Sequence, residues 1–130
     1  MKYMILMNVS SKDFDTFGTM SPAEIGAHVQ FMKSLNVQLE ERGELVVAEG
    51  LTPPDQAKIV RARDGGGTPI VTDGPFAEGK EFLAGFWIVD VASHERAVEL
   101  CGYISTAPGR GGAPMNFPVE LRAVGEAPKT

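Results

Sequence analysis

Cysteine is nearly absent: Cys101 is the only one in 130 residues. A lone thiol closes no internal disulfide, so a stapled secreted scaffold is excluded and a reducing compartment is expected. Histidine is scarce too. His28 and His94 stand far apart, and with one cysteine they give no metal-ligand spacing. Basic residues are outnumbered, with 12 Lys and Arg against 17 Asp and Glu and a net charge of −5. No basic run exists to hold nucleic acid or an anionic membrane surface. No apolar stretch reaches membrane-spanning length. Met1 to Val9 is apolar but short, and Asn8, Ser10, Lys12 and Asp13 break it at once, so no signal segment is expected. The glycines of 65–67 and 109–112 lack the Lys-Ser/Thr ending of a P-loop and the spacing of a dinucleotide fingerprint. The expectation is a cytoplasmic protein without metal or organic cofactor.

Hydrophobic residues make up 43 % of the chain, enough for a packed core in one domain spanning 1–130, with a loose tail from about 125. Lys2 to Val9 is apolar on both faces, as in a central strand. Ser10 to Met20 reads as a polar loop. Ser21, Pro22 and Glu24 form a capping box ahead of a helix with the apolar stripe Ile25, Val29, Met32, Leu35 and Leu39, which Gly43 ends. Leu45 to Ala48 is a strand. Lys58 to Arg63 and Pro69 to Thr72 flank the Asp64-Gly65-Gly66-Gly67 turn as a hairpin. Asp73 to Phe82 has loop chemistry, and Gly85 to Val91 is a strand in which Trp87 packs a sheet face. Ser93 caps a second helix with the stripe Ala97, Val98, Cys101 and Ile104. Thr106 to Pro118 is irregular, and Val119 to Val124 is the last strand. The order β-α-β-(β-hairpin)-β-α-β predicts a ferredoxin-like α+β sandwich. Two helices cover one sheet face. The other is apolar and bare, which calls for a second copy of the chain, a homodimer.

Few residues carry chemistry. Asp73-Gly74-Pro75-Phe76 lies between two strands, and turn stabilisation alone accounts for Asp73. His28 falls amid the apolar stripe of the first helix and faces the sheet. Alone it is a satisfied core or pocket histidine. Paired with an acid on the sheet, it becomes half of an acid–base dyad. Phe31 and Phe76 are placed to wall such a pocket, and Glu78 and Glu81 to line its mouth, although Glu78, Lys80 and Glu81 also suit a solvated loop. Cys101 on an apolar stripe reads as core, and His94 beside a helix cap as exposed.

The run Val71-Thr72-Asp73-Gly74-Pro75-Phe76-Ala77-Glu78, followed by Lys80-Glu81 and Gly85-Phe86, resembles the signature of the DGPF proteins of the YCII-related family. The resemblance extends to Met1-Lys2-Tyr3-Met4, to the helix carrying His28 and Phe31, to Leu51-Pro53-Pro54 and to Val119-Glu120-Leu121-Arg122. Gly79, Phe82 and Ala84 depart from the family's usual residues, and Ala107 to Pro118 is longer and richer in glycine.

The resemblance implies a ferredoxin-like fold that dimerises through its sheets as a dimeric α/β barrel, with a His–Asp pair at His28 and Asp73. It also implies chemistry like that of relatives that dehydrochlorinate a hydroxyquinone, isomerise muconolactones or act as cofactor-free monooxygenases. The expected function is a small-molecule enzyme in which His28 is general acid or base and Asp73 orients it. Its substrate would be a small cyclic or aromatic compound. The alternative is a non-catalytic ligand-binding or regulatory module associated with an extracytoplasmic-function sigma factor, beside which family members are often encoded.

Overall fold

The computed structural model describes residues 1–74 and 81–126. The chain runs β1 (Lys2–Ser10), α1 (Ser11–Gly18), α2 (Pro22–Glu41), β2 (Leu45–Gly50), β3 (Lys58–Arg61), β4 (Ile70–Asp73), β5 (Glu81–Asp90), α3 (His94–Ser105) and β6 (Glu120–Ala123). Single 3₁₀ turns stand at Pro54–Gln56 and Arg110–Gly112. Four strands form an antiparallel sheet in the order β2-β5-β1-β6. The first and last of the sheet's strands in sequence, β1 and β6, lie side by side. This is the ferredoxin-like α+β arrangement, with α1 and the β3–β4 hairpin as insertions.

Cross-strand partners share a sheet face, so the pairings Tyr3↔Val89, Ile5↔Trp87, Ala48↔Trp87 and Ile5↔Leu121 define the face under the helices. On it Tyr3, Ile5, Trp87 and Val89 pack with Leu35 and Leu39 of α2 and Ala97, Leu100 and Ile104 of α3. The pairings Met4↔Ile88, Leu6↔Phe86 and Val47↔Ile88 place five apolar side chains on the opposite face. All five are only partly buried.

The capping box at α2 forms as the sequence predicts. Glu24 N donates to Ser21 Oγ at 3.1 Å, and Ser21 N donates to Glu24 Oε1 at 2.8 Å. The predicted helix end is also present, with Gly43 at φ +70°, a conformation that costs glycine little. Ser21→Ala leaves a first-turn amide without its acceptor. It is expected to lower unfolding free energy by about 1 kcal/mol, read as a drop in denaturant midpoint at unchanged slope.

Five expectations need correction. The polar loop of 10–20 contains a helix, α1, opened by a second capping box between Ser10 and Asp13. Its apolar side comes from Phe14 and Phe17, three apart. The face of α2 turned inward is His28, Leu35 and Leu39 with Met32 beside them, whereas Val29 is exposed. On α3 Leu100 is buried and Val98 exposed. In both helices a valine at the edge of the stripe faces water, because the sheet claims a narrower arc than counting apolar residues suggests. The hairpin does not join the main sheet. Among the described residues β3 and β4 pair only with each other. Finally, the loop expected over 73–82 gives Asp73 to β4 and Glu81 and Phe82 to β5, and residues 75–80 lie outside the described part.

Arg96 ties α3 to the start of β2. Its Nε reaches Glu44 Oε2 at 3.1 Å and one terminal nitrogen reaches Glu44 Oε1 at 2.9 Å. These bonds hold the Glu44 carboxyl below its usual range and the guanidinium above its own. The contribution to stability is therefore present at neutral pH and lost as pH falls through the depressed Glu44 value.

Candidate functional site

Where α2 leaves the sheet, a cavity of about 730 Å³ opens between helix and strands. Three kinds of wall enclose it. The floor is sheet: Met7 of β1, Ala48 of β2 and Trp87 of β5. One side is α1 and its exit, contributing Asp13, Phe14, Thr16, Phe17 and Met20. The other is the strap of residues 107–118, contributing Arg110, Met115, Asn116 and Phe117. α2 supplies His28, Met32 and Asn36. The size suits a small organic ligand, and four methionine thioethers and five aromatic rings stand in the lining.

The strap, rich in glycine and proline, is braced by its own backbone. Gly109 N donates to Ala113 O at 2.8 Å, Met115 N to Ala107 O at 2.9 Å and Asn116 N to Ser105 O at 2.9 Å. Ser105 Oγ donates to Phe117 O at 2.7 Å. Asn116 holds φ +54°, rare for a residue with a Cβ, at the cavity wall. α2 grips the strap at two points on one side, four residues apart. Glu24 accepts from Gly111 N, and His28 Nδ1 lies 3.1 Å from Pro108 O. Backbone amides of Ser21 and then Gly111 keep the Glu24 carboxyl below its ordinary range.

His28 is buried, with its ring edge-on to Phe17 at a centroid distance of 5.1 Å. A carbonyl oxygen can only accept, so Nδ1 carries the hydrogen toward Pro108. The neutral ring then keeps its lone pair on Nε2. That atom makes no hydrogen bond among the described residues, where no fully buried side-chain nitrogen or oxygen lacks a partner. Nε2 is therefore accessible, on a residue that lines the cavity.

Trp87 Nε1 donates to Asn36 Oδ1 at 2.8 Å. Indole is a donor only, which fixes the orientation of the amide. Among the described residues no three His, Cys, Asp or Glu side chains gather as metal ligands, and no helix is long and apolar enough to cross a membrane.

A model of the YCII-related domain matches residues 1–107. The chain belongs to the YCII-related family. An uncharacterised protein of Rhizobium meliloti (strain 1021) is 38 % identical over 88 residues, which is 68 % of this chain and 69 % of that protein.

In this YCII-related chain the expected site residues are dispersed. His28 lines the cavity. Asp73 ends β4 in the separate hairpin, its side chain 83 % exposed and paired with Lys58 Nζ. That ion pair holds the Asp73 carboxyl below its usual range. Within one copy of the YCII-related chain, then, the polar partner of His28 is Pro108 O and that of Asp73 is Lys58. Asp73 does not line the cavity, because its hairpin forms a sheet of its own. Phe31 stacks on Tyr103 of α3 at 4.9 Å and also lies off the cavity. Glu81 is exposed at the start of β5, beside a smaller hollow between β5 and the 50–57 segment. Phe76 and Glu78 fall outside the described residues.

Sequence reasoning missed Asp13, Phe17, Asn36, Arg110 and the Pro108 carbonyl. Two of them left a signal. Ser10-x-x-Asp13 is a capping pattern, and Asn36 is a polar residue eight positions after His28, at the edge of an apolar stripe. Pro108 acts through its backbone and left none. Cys101 is half-buried against the core, and burial pushes its thiol up, away from nucleophilic character.

Proposed function

We propose that this protein is a cofactor-independent enzyme that moves a proton on a small cyclic or aromatic compound, with His28 as its general base and acid. The observation that carries this reading is the 3.1 Å contact of His28 Nδ1 with Pro108 O, which leaves Nε2 open on a residue of a largely apolar cavity. In the forward step a C–H or O–H bond of the substrate breaks, its proton passes to Nε2 and the electron pair stays on the substrate. The Pro108 carbonyl then faces the Nδ1–H of an imidazolium, which it stabilises. Return of the proton to another substrate atom isomerises the compound. Expulsion of a leaving group by the stranded electron pair makes the reaction an elimination. We further propose that the working form is a homodimer through the bare sheet face, and that Asp73 serves the site only once its hairpin is covered by the second copy.

The test uses His28→Asn, whose side-chain amide still reaches Pro108 O but offers nothing at the Nε2 position. The protein is incubated in heavy water with a panel of cyclic ketones and hydroxylated aromatics, and loss of the acidic C–H signals is followed by NMR. The wild type should exchange at least one compound above buffer, and His28→Asn should slow that exchange by roughly 10²- to 10⁴-fold. No wild-type exchange on any panel member, or equal exchange by the variant, refutes the assignment.

A further inference from the structure

We infer that Asn36 is the second polar anchor of the cavity. It selects a flat ring compound bearing a carbonyl oxygen at the end opposite the proton that His28 takes. The inference rests on the acid–base reading of His28 and adds what sits at the far end. Asn36 Oδ1 is committed to Trp87 Nε1, so the Nδ2 amino group is the part left to a ligand. Nδ2 makes no hydrogen bond among the described residues and is not a fully buried orphan there, so it opens onto space. Asn36 lines the same cavity as His28.

The spacing sets the geometry. His28 and Asn36 are eight residues apart on α2, which is roughly 12 Å along the helix axis. They project about 80° apart around the axis, so their tips are no closer than this axial separation. With a hydrogen bond of about 3 Å at each end, no less than roughly 6 Å remains between the two polar atoms of the ligand. Only the long, para axis of a six-membered ring approaches that gap. Met32 lies between the two anchors on the same helix and lines the cavity, so it offers a thioether to the ring. The anchors are complementary: Nε2 accepts and Nδ2 donates. The ligand must therefore donate at one end and accept at the other, as a hydroxyl para to a carbonyl does.

Three probes separate the two ends: 4-hydroxyacetophenone carries both groups, 4-ethylphenol only the hydroxyl, and acetophenone only the carbonyl. Calorimetry is run on the wild type, Asn36→Asp and His28→Asn. Asn36→Asp keeps an acceptor for Trp87 and replaces the free donor by an acceptor. An unchanged far-UV circular dichroism spectrum and denaturant midpoint show that the fold is kept. Should Asn36→Asp fail to fold, Asn36→Ser repeats the measurement. The expected result is that Asn36→Asp weakens 4-hydroxyacetophenone and acetophenone roughly 10-fold or more and does not weaken 4-ethylphenol, because the lost donor is replaced by a carboxylate that repels a carbonyl oxygen. Equal weakening of all three probes, no weakening of any, or no wild-type binding overturns the inference. The His28 variant reads the other end, and should weaken only the two hydroxyl-bearing probes. If it does not while the Asn36 pattern holds, the acid–base reading fails and the anchor stands. If the His28 pattern holds alone, the reverse is true.

Discussion

Leu35→Ala is expected to remove about 3–4 kcal/mol of unfolding free energy. Leu35 is 2 % exposed and packs in the cluster that joins Ile5, Trp87 and Val89 of the sheet to Leu39 and Ile104 of the helices. Truncation loses the transfer free energy of the removed atoms and leaves a void that helix and sheet close only in part. For a chain of this length that amounts to a fall of about 10 °C or more in Tm. Val29→Ala, six residues earlier on the same helix and 41 % exposed, should stay within about 0.5 kcal/mol of the wild type. Equilibrium urea unfolding of both variants gives the comparison. A loss below about 1.5 kcal/mol at Leu35 would contradict the packing described.

The second large effect concerns assembly. Met4, Leu6, Val47, Phe86 and Ile88 form an apolar centre on the sheet face away from the packed helices, bordered by Glu49, Glu120 and Arg122. Ile59, Val60, Ile70 and Val71 on the hairpin are exposed as well. A two-stranded hairpin is marginal by itself, so apolar side chains exposed along it argue for cover from a partner. If a second copy supplies that cover, the interface should total roughly 1,500 Å² or more. Light scattering at micromolar concentration should then give twice the mass of the chain. Ile88→Lys, which sets a charge in the middle of the open face, should halve it. A wild-type protein that scatters as a monomer would end the proposal.

The fold was legible because its signals are local and redundant. Ser21, Pro22, Glu24 and Gly43 mark both ends of α2 independently, and the apolar runs of β1 and β5 can only be buried strands. The misreadings have physical causes. α1 is short and mostly polar, and it is held by a cap and two rings that mean little until β1 and Phe82 are beside them. The hairpin was recognised, but no property of its residues says which sheet it joins. At the site, the inward placement of His28 could be read. His28 stands on a stripe that must face inward, so its burial follows from helical geometry. Its partner could not be read, because the group that fixes the ring is the backbone carbonyl of Pro108, eighty positions away and invisible to side-chain chemistry.

The wall built by α1 has a kinetic consequence. Eight residues are too few for a helix to persist by itself, so α1 exists only while its rings stay docked. Such a segment melts and reforms locally, with the sheet and the two long helices intact. That wall is then the part of the cavity expected to loosen first, and amide hydrogen exchange over 11–18 should run faster than over α2 and α3.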